Sequence, residues 1–197
     1  MPLIVRQILV SHDVFDAEAG ADLIDPVLLF LEWARSSAIL ADDELPEEAL
    51  LVEALSMYYG QVINGGHWQY VHNGYCTPTN LDRVERCIAA TGDPDHLRVV
   101  QEFRRLMAAH PEWITRAVER GWKDGVPPEI EALSSIFSMD DDMPIWRGFR
   151  DWLRGSGVMR PLPPTAMAEA KASILATVPD LEGRRQRAAA EKAAAEA

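Results

Sequence analysis

The chain has 197 residues, 48% of them apolar, which is enough for a buried core and too apolar for a disordered chain. Its 31 acidic residues outnumber 19 basic ones for a formal charge of -12, a balance that argues against direct nucleic-acid binding through a basic patch. The most apolar runs, residues 3–10 and 27–31, fall far short of the roughly 20 residues of a membrane span, and no leader-cleavage pattern follows the first, so the expectation is a soluble, cytoplasmic protein with no membrane partner.

In chain order, "LIVRQILV" carries the only strand signal. "DPVLLFLEWARSSAIL" offers Asp25 as an N-cap and Pro26 at the first helical position, predicting a helix to about residue 40. "LPEEALLVEALSMYYGQVI" opens on proline and two glutamates, which suit the positive end of a helix dipole. Its Leu51, Leu55, Tyr58 and Val62 share one face, so it reads as the central buried helix. "TNLDRVERCIAATG" has Thr79 and Asp82 in capping-box spacing and Gly92 as its stop. "DPDHLRVVQEFRRLMAAH" follows at once with Asp93 as cap, and so short a connection predicts a packed helix pair.

Past His110, "PEWITRAVERG", "PPEIEALSSIFSM", "MPIWRGFRDWLRG" and "PLPPTAMAEAKASILATVPD" repeat the same punctuation. Trp146, Phe149 and Trp152 make an aromatic stripe that suits a core, with a homodimer contact as the other use. In "GRRQRAAAEKAAAEA" the charges of Arg184, Arg185, Arg187 and Glu196 oppose the helix dipole, which predicts a frayed tail. The fold class is therefore all-α, a single compact multi-helix domain with room for one short N-terminal strand. Three segments are expected: an acidic one over 1–45 packed on the core, a helical core over 46–180 and a flexible alanine-rich tail over 181–197.

Cys76 and Cys87 read as thiols rather than a disulfide, Cys87 beside an apolar stripe and Cys76 in a loop that could be exposed. His72 and Cys76 have ligand spacing, but Asn73-Gly74 interrupts the helix that would align them, so neither a metal nor a cofactor is expected.

"QVINGGHWQYVHNGY" is the densest concentration of polar and aromatic side chains. Asn64-Gly65-Gly66 reads as the end of the central helix, with a positive φ expected at either glycine, and "HWQYVHN" as a short helix stopped by Asn73-Gly74. Asn64, His67, Gln69, Tyr70 and His72 could line a polar pocket at this junction; the competing view makes them hydrogen-bonded core and rim residues. The run "YYGQVINGGHWQYVHN", a helix ending "AATG", and "SSIFSMDDDMPIW" together resemble the bacterial DNA-mimic protein nineteen family over residues 47–153. The family hallmark matches at Asn64, Gly65, Gly66, Gln69 and Tyr70, whereas His67 stands where the family usually has phenylalanine. The resemblance implies an all-helical fold and, for its best-known member, an acidic surface that imitates DNA and occupies a DNA-binding protein. It brings no catalytic residues.

No nucleophile motif, phosphate loop or metal signature occurs, so no catalytic residues are assigned and a non-catalytic role is expected. Asp140, Asp141 and Asp142 lack calcium-loop spacing and read as a solvated loop or helix cap. The acidic charge is uneven: residues 1–60 hold twelve acids against Arg6 and Arg35 alone. Asp25, Glu32, Asp42, Asp43, Glu44, Glu47 and Glu48 are the candidates for a face that engages a basic DNA-binding protein, set against ordinary acidic solubility. A small-molecule site or enzyme at residues 64–73 is the alternative.

Overall fold

The computed structural model describes residues 3–16, 21–137 and 144–195. Its elements are β1 (Ile8–Ser11), α1 (His12–Phe15), α2 (Ile24–Ser36), α3 (Glu47–His72), α4 (Pro78–Thr91), α5 (Pro94–Ala109), α6 (Glu112–Arg120), α7 (Pro128–Leu133), α8 (Pro144–Gly155), β2 (Met159–Leu162), α9 (Pro164–Thr177) and α10 (Leu181–Ala195). Single 3₁₀ turns occur at Ala21–Leu23, Asp42–Glu44 and Ser134–Ile136. The molecule is predominantly helical, with the expected short N-terminal strand. Among the described residues, 3–16, 22–50 and 153–195 form one compact unit, and 21, 51–137 and 144–152 form a second.

In the first unit β1 is buried along Ile8, Leu9 and Val10 and pairs in parallel with β2, Ile8 opposite Met159 and Ser11 opposite Leu162. Sequence patterning missed β2 because "MRPL" contains Pro161, which has no N–H to give a ladder and reads as linker. Helix α2 packs on β1 and buries Val27, Phe30, Leu31 and Ala34, the spacing of one helical face. It starts earlier and ends sooner than its sequence suggests. The 3₁₀ turn at Ala21–Leu23 feeds directly into it, so Asp25 lies in the first turn rather than at the cap, and Ser37 closes it.

The alanine-rich segment, expected to fray, is helical through Ala195. Alanine's propensity favours the helix, and Arg184 anchors the first turn by bonding Glu44, although residues 191–195 are exposed.

The second unit is built around α3 from Leu51 onward, where Leu55, Tyr58, Tyr59 and Val62 are buried. Helix α4 starts before the Thr79 signal because Thr77 accepts the N–H of Asn80 at 3.1 Å and Pro78 supplies the first helical position. Gly92, at φ 74°, closes α4, and the Asp93 carboxylate takes the N–H groups of Asp95 and His96 at 3.0 and 3.1 Å to open α5. Those two caps leave almost no loop, and α4 and α5 pack on one another as expected. The aromatic stripe of α8 is spent inside this unit: Trp146 meets Tyr59 with ring centroids 4.6 Å apart, and Phe149 is fully buried. Gly148 lies so close to the Thr91 carbonyl that a Cβ there would overlap it.

Cys87 and, contrary to the loop expectation, Cys76 are both buried. Burial pushes the Cys76 thiol up to about 12 and Cys87 higher still, so neither is a ready thiolate. Among the described residues no group of three or more His, Cys, Asp or Glu side chains is placed to hold a metal ion, and no helix is long and apolar enough to cross a membrane.

Candidate functional site

Helix α3 breaks at Gly65 and Gly66, whose φ/ψ values are -158°/25° and 71°/-179°. Only Gly66 has the positive φ expected of either glycine; with ψ near 180° it occupies a region essentially reserved for glycine. The break turns the chain so that His67, one residue later, faces back toward Tyr58 in the first half of the helix. Its ring is fully buried, against Phe103 at 4.7 Å and Phe137 at 5.4 Å between centroids.

Both ring nitrogens of His67 are engaged. Nε2 lies 2.6 Å from the Tyr58 hydroxyl and Nδ1 lies 2.8 Å from Ser134 Oγ. Among the described residues the buried Tyr58 has no second partner, so satisfying its O–H requires donation to Nε2. The ring proton then sits on Nδ1 and is donated to Ser134 Oγ, which also accepts the His67 backbone N–H at 3.1 Å.

Burial pushes His67 down to about 3, and burial likewise holds Tyr58 well above the usual phenol range. The chain Tyr58–His67–Ser134 is thus neutral. A serine nucleophile needs a base that can hold the proton it removes, and no carboxylate bonds this imidazole to stabilise an imidazolium. The geometry of a nucleophile and base is present, but its electrostatics favour a polar pin between α3 and the Ser134–Ile136 turn.

A pH test follows from the direction of that shift. The unfolded chain protonates His67 near its ordinary 6.5, whereas the folded chain resists until about 3. The contribution of the neutral ring is therefore complete above 6.5 and is lost as pH falls toward 3. From pH 7 to pH 5 it should fall by about 2 kcal/mol. Denaturant unfolding of the wild type and His67→Gln at both pH values should show the variant losing about 2 kcal/mol less on acidification. Equal losses would mean the ring is not held neutral.

A cavity of about 330 Å³ opens beside this chain. Gly65, Gly66, His67 and Trp68 form one wall; Trp122, Val126, Ile130, Glu131 and Ser134 form the other. Trp68 is locked by its Nε1–H donating to the Gly121 carbonyl at 2.9 Å, with the Arg116 guanidinium 5.0 Å from its ring centre.

Of the five residues read as a pocket, only His67 lines the cavity. Asn64 is exposed. Gln69 donates to Gln61 Oε1 at 3.0 Å, an oxygen that also takes Asn73 Nδ2 at 2.6 Å. Tyr70 is buried edge-on to Tyr58 at 5.1 Å, and His72 donates from Nδ1 to the Ala117 carbonyl at 2.7 Å. Sequence reading missed Ser134, Trp122 and Glu131 altogether. Nothing local marks them, since His67 and Ser134 are separated by 67 positions.

The acidic candidates also divide, all within the first unit. Asp25 and Glu32 are exposed on one side of α2 with Asp22 just ahead and Leu29, 63% exposed, between them. Asp43 and Glu47 are exposed and Glu48 is half-buried. Asp42 is bonded by Arg35 Nη2 at 2.8 Å. Glu44 is 1% exposed and held by both terminal nitrogens of Arg184, at 2.7 and 2.8 Å, so its charge is already answered within the fold. Asp140, Asp141 and Asp142 lie outside the described residues.

The DMP19-like protein family model matches residues 43–156, more than half of the chain. The chain belongs to the DMP19-like family. That match contains the broken helix α3, the cavity and both its walls, so the junction is part of the family domain. No curated protein and no solved structure matches the chain.

Proposed function

We propose that this DMP19-like protein is a non-catalytic binding protein whose acidic face on α2 engages a basic protein surface, in the manner of a DNA mimic. The observation that carries this reading is the exposed row Asp22, Asp25, Leu29 and Glu32. Asp25 and Glu32 are separated by about 10 Å of rise on a stiff helix, and three carboxylates on one side make a local field that steers a cation-rich partner. That field is screened beyond roughly 8 Å at physiological salt, so capture must be salt-sensitive. Asp42 and Glu44 drop out as contacts because Arg35 and Arg184 bond them. The buried thiols Cys76 and Cys87 support a cytoplasmic setting.

Reversal of Asp22, Asp25 and Glu32 to lysine is the test, since all three are exposed and should leave the fold intact. Wild-type protein should capture DNA-binding proteins from its host at low salt, release them to competing duplex DNA, and lose them on reversal. Capture indifferent to duplex DNA and to the three reversals would end the mimic reading.

A second reading is favoured by a separate observation, the cavity beside Gly66: a small-molecule site at the helix junction. The neutral state of His67 supports binding there rather than nucleophilic catalysis.

A further inference from the structure

Ser134 Oγ accepts two hydrogen bonds, from His67 Nδ1–H and from the His67 backbone N–H. Its own proton has no acceptor among the described residues, and the hydroxyl lines the cavity. A hydroxyl whose acceptor capacity is filled by the protein is left as a donor for whatever enters.

Glu131 precedes Ser134 by three positions along the continuous α7 and 3₁₀ segment, so the two side chains stand on one face with Cβ atoms about 5–6 Å apart. The carboxylate is a pure acceptor. The wall therefore presents a donor and an acceptor side by side, with Ile130 and Trp122 also on it and Trp68 across from it. Trp122 is 47% exposed although the His72 ring packs against it at 4.8 Å between centroids, so part of its aromatic surface is open to a planar ligand. Among the described residues no lysine or arginine lines the cavity; Arg116 stands over the Trp68 ring. With Glu131 as the wall's charged group, an anion is disfavoured. Bare Gly66 keeps the hydroxyl accessible, because a Cβ there would sit 3.0 Å from Ser134 Oγ.

We propose that this cavity binds a planar, uncharged cyclic amide, the O=C–N–H edge of a pyrimidine or purine base, with Ser134 donating to the carbonyl and Glu131 accepting the ring N–H. The inference rests on the small-molecule reading of the junction. At about 330 Å³ the cavity is at the small end of ligand pockets, suited to a single base rather than a dinucleotide.

The test is methyl and indole NMR on the full chain, following Ile130, Val126 and Trp122 while uracil and hypoxanthine are added. Either base should shift all three signals with a millimolar or tighter dissociation constant. 1,3-Dimethyluracil, which keeps the ring and both carbonyls but has no N–H, should bind at least tenfold more weakly. Uridine 5′-monophosphate should bind more weakly than uracil, and Glu131→Gln should narrow that gap. Ser134→Ala should weaken uracil about tenfold. The dimethylated probe needs no variant and stands even if that substitution perturbs the fold. 2-Piperidone carries the same edge without an aromatic face: binding equal to uracil would widen the ligand class to cyclic amides at large, and weaker binding would narrow it to bases. If neither base shifts the signals, or dimethyluracil binds as well as uracil, the cyclic-amide assignment is overturned. In that event a mixture of uncharged aromatic and aliphatic fragments separates the two claims. Shifts at Ile130 would leave the small-molecule reading standing, and none would remove both.

Discussion

Gly66→Ala should destabilise the protein by about 3 kcal/mol, whereas Gly65→Ala should change stability by less than about 1 kcal/mol. The neighbouring glycines differ because only Gly66 sits at positive φ, 71°, with ψ at -179°, where a Cβ meets its own backbone. A methyl there would also lie 3.0 Å from Ser134 Oγ and press on the hydroxyl that receives both bonds from His67. Gly65 has φ -158°, and its added Cβ would overlap the Gln69 amide, which can swing away, and would meet Gln69 Cβ at 3.0 Å, which a small local shift relieves. Thermal or denaturant unfolding of the two variants is the measurement. Equal effects would show that the break in α3 is not held at Gly66.

Removing the guanidinium with Arg184→Ala should cost on the order of 3 kcal/mol, because it strands the Glu44 carboxylate in a site where it is 1% exposed. Arg184 does more than pair a charge. It donates to both Glu44 oxygens and to the Ile39 carbonyl at 3.2 Å, while Glu44 Oε2 also takes the Ala41 N–H at 2.9 Å and its backbone carbonyl takes Ile4 and Val5, each at 3.2 Å. The start of α10 is thereby tied to the segment between α2 and α3. Arg184 holds the Glu44 carboxyl below the usual carboxylate range. The pair's contribution is therefore present above about pH 4.5 and is lost as pH falls through the folded value. Arg187→Ala is the control: its partner Asp180 and it are 66% and 63% exposed, and such a pair should be worth under about 1 kcal/mol. If both substitutions cost the same small amount, Arg184 is a surface contact and α10 is unanchored.

Those two sites show what could and could not be read from the chain. Glu44 carries the same local signature as Asp43 beside it, acidic and next to a proline-glutamate helix start, so the sequence alone places both on one acidic face. What separates them is an arginine 140 positions away, and no periodicity or propensity carries that information. The same holds at the junction. That "INGGHW" breaks a helix is local chemistry and was legible, but which glycine takes the positive φ depends on where His67 must go. That destination is set by Tyr58 on the same helix and Ser134 on a distant turn.

By itself the sequence determined the helical class, the caps at Asp93 and Gly92 and the buried face of α3, because each depends on residues a few positions apart along one helix, and it carried the family membership through the pattern over residues 43–156. Only the tertiary structure decided the pairing of β1 with β2, the burial of Glu44 by Arg184, the anchoring of α10 through that arginine and the makeup of the cavity wall. Each of those depends on groups brought together by packing, where the free energy of burying or pairing a side chain is set by neighbours remote in the chain.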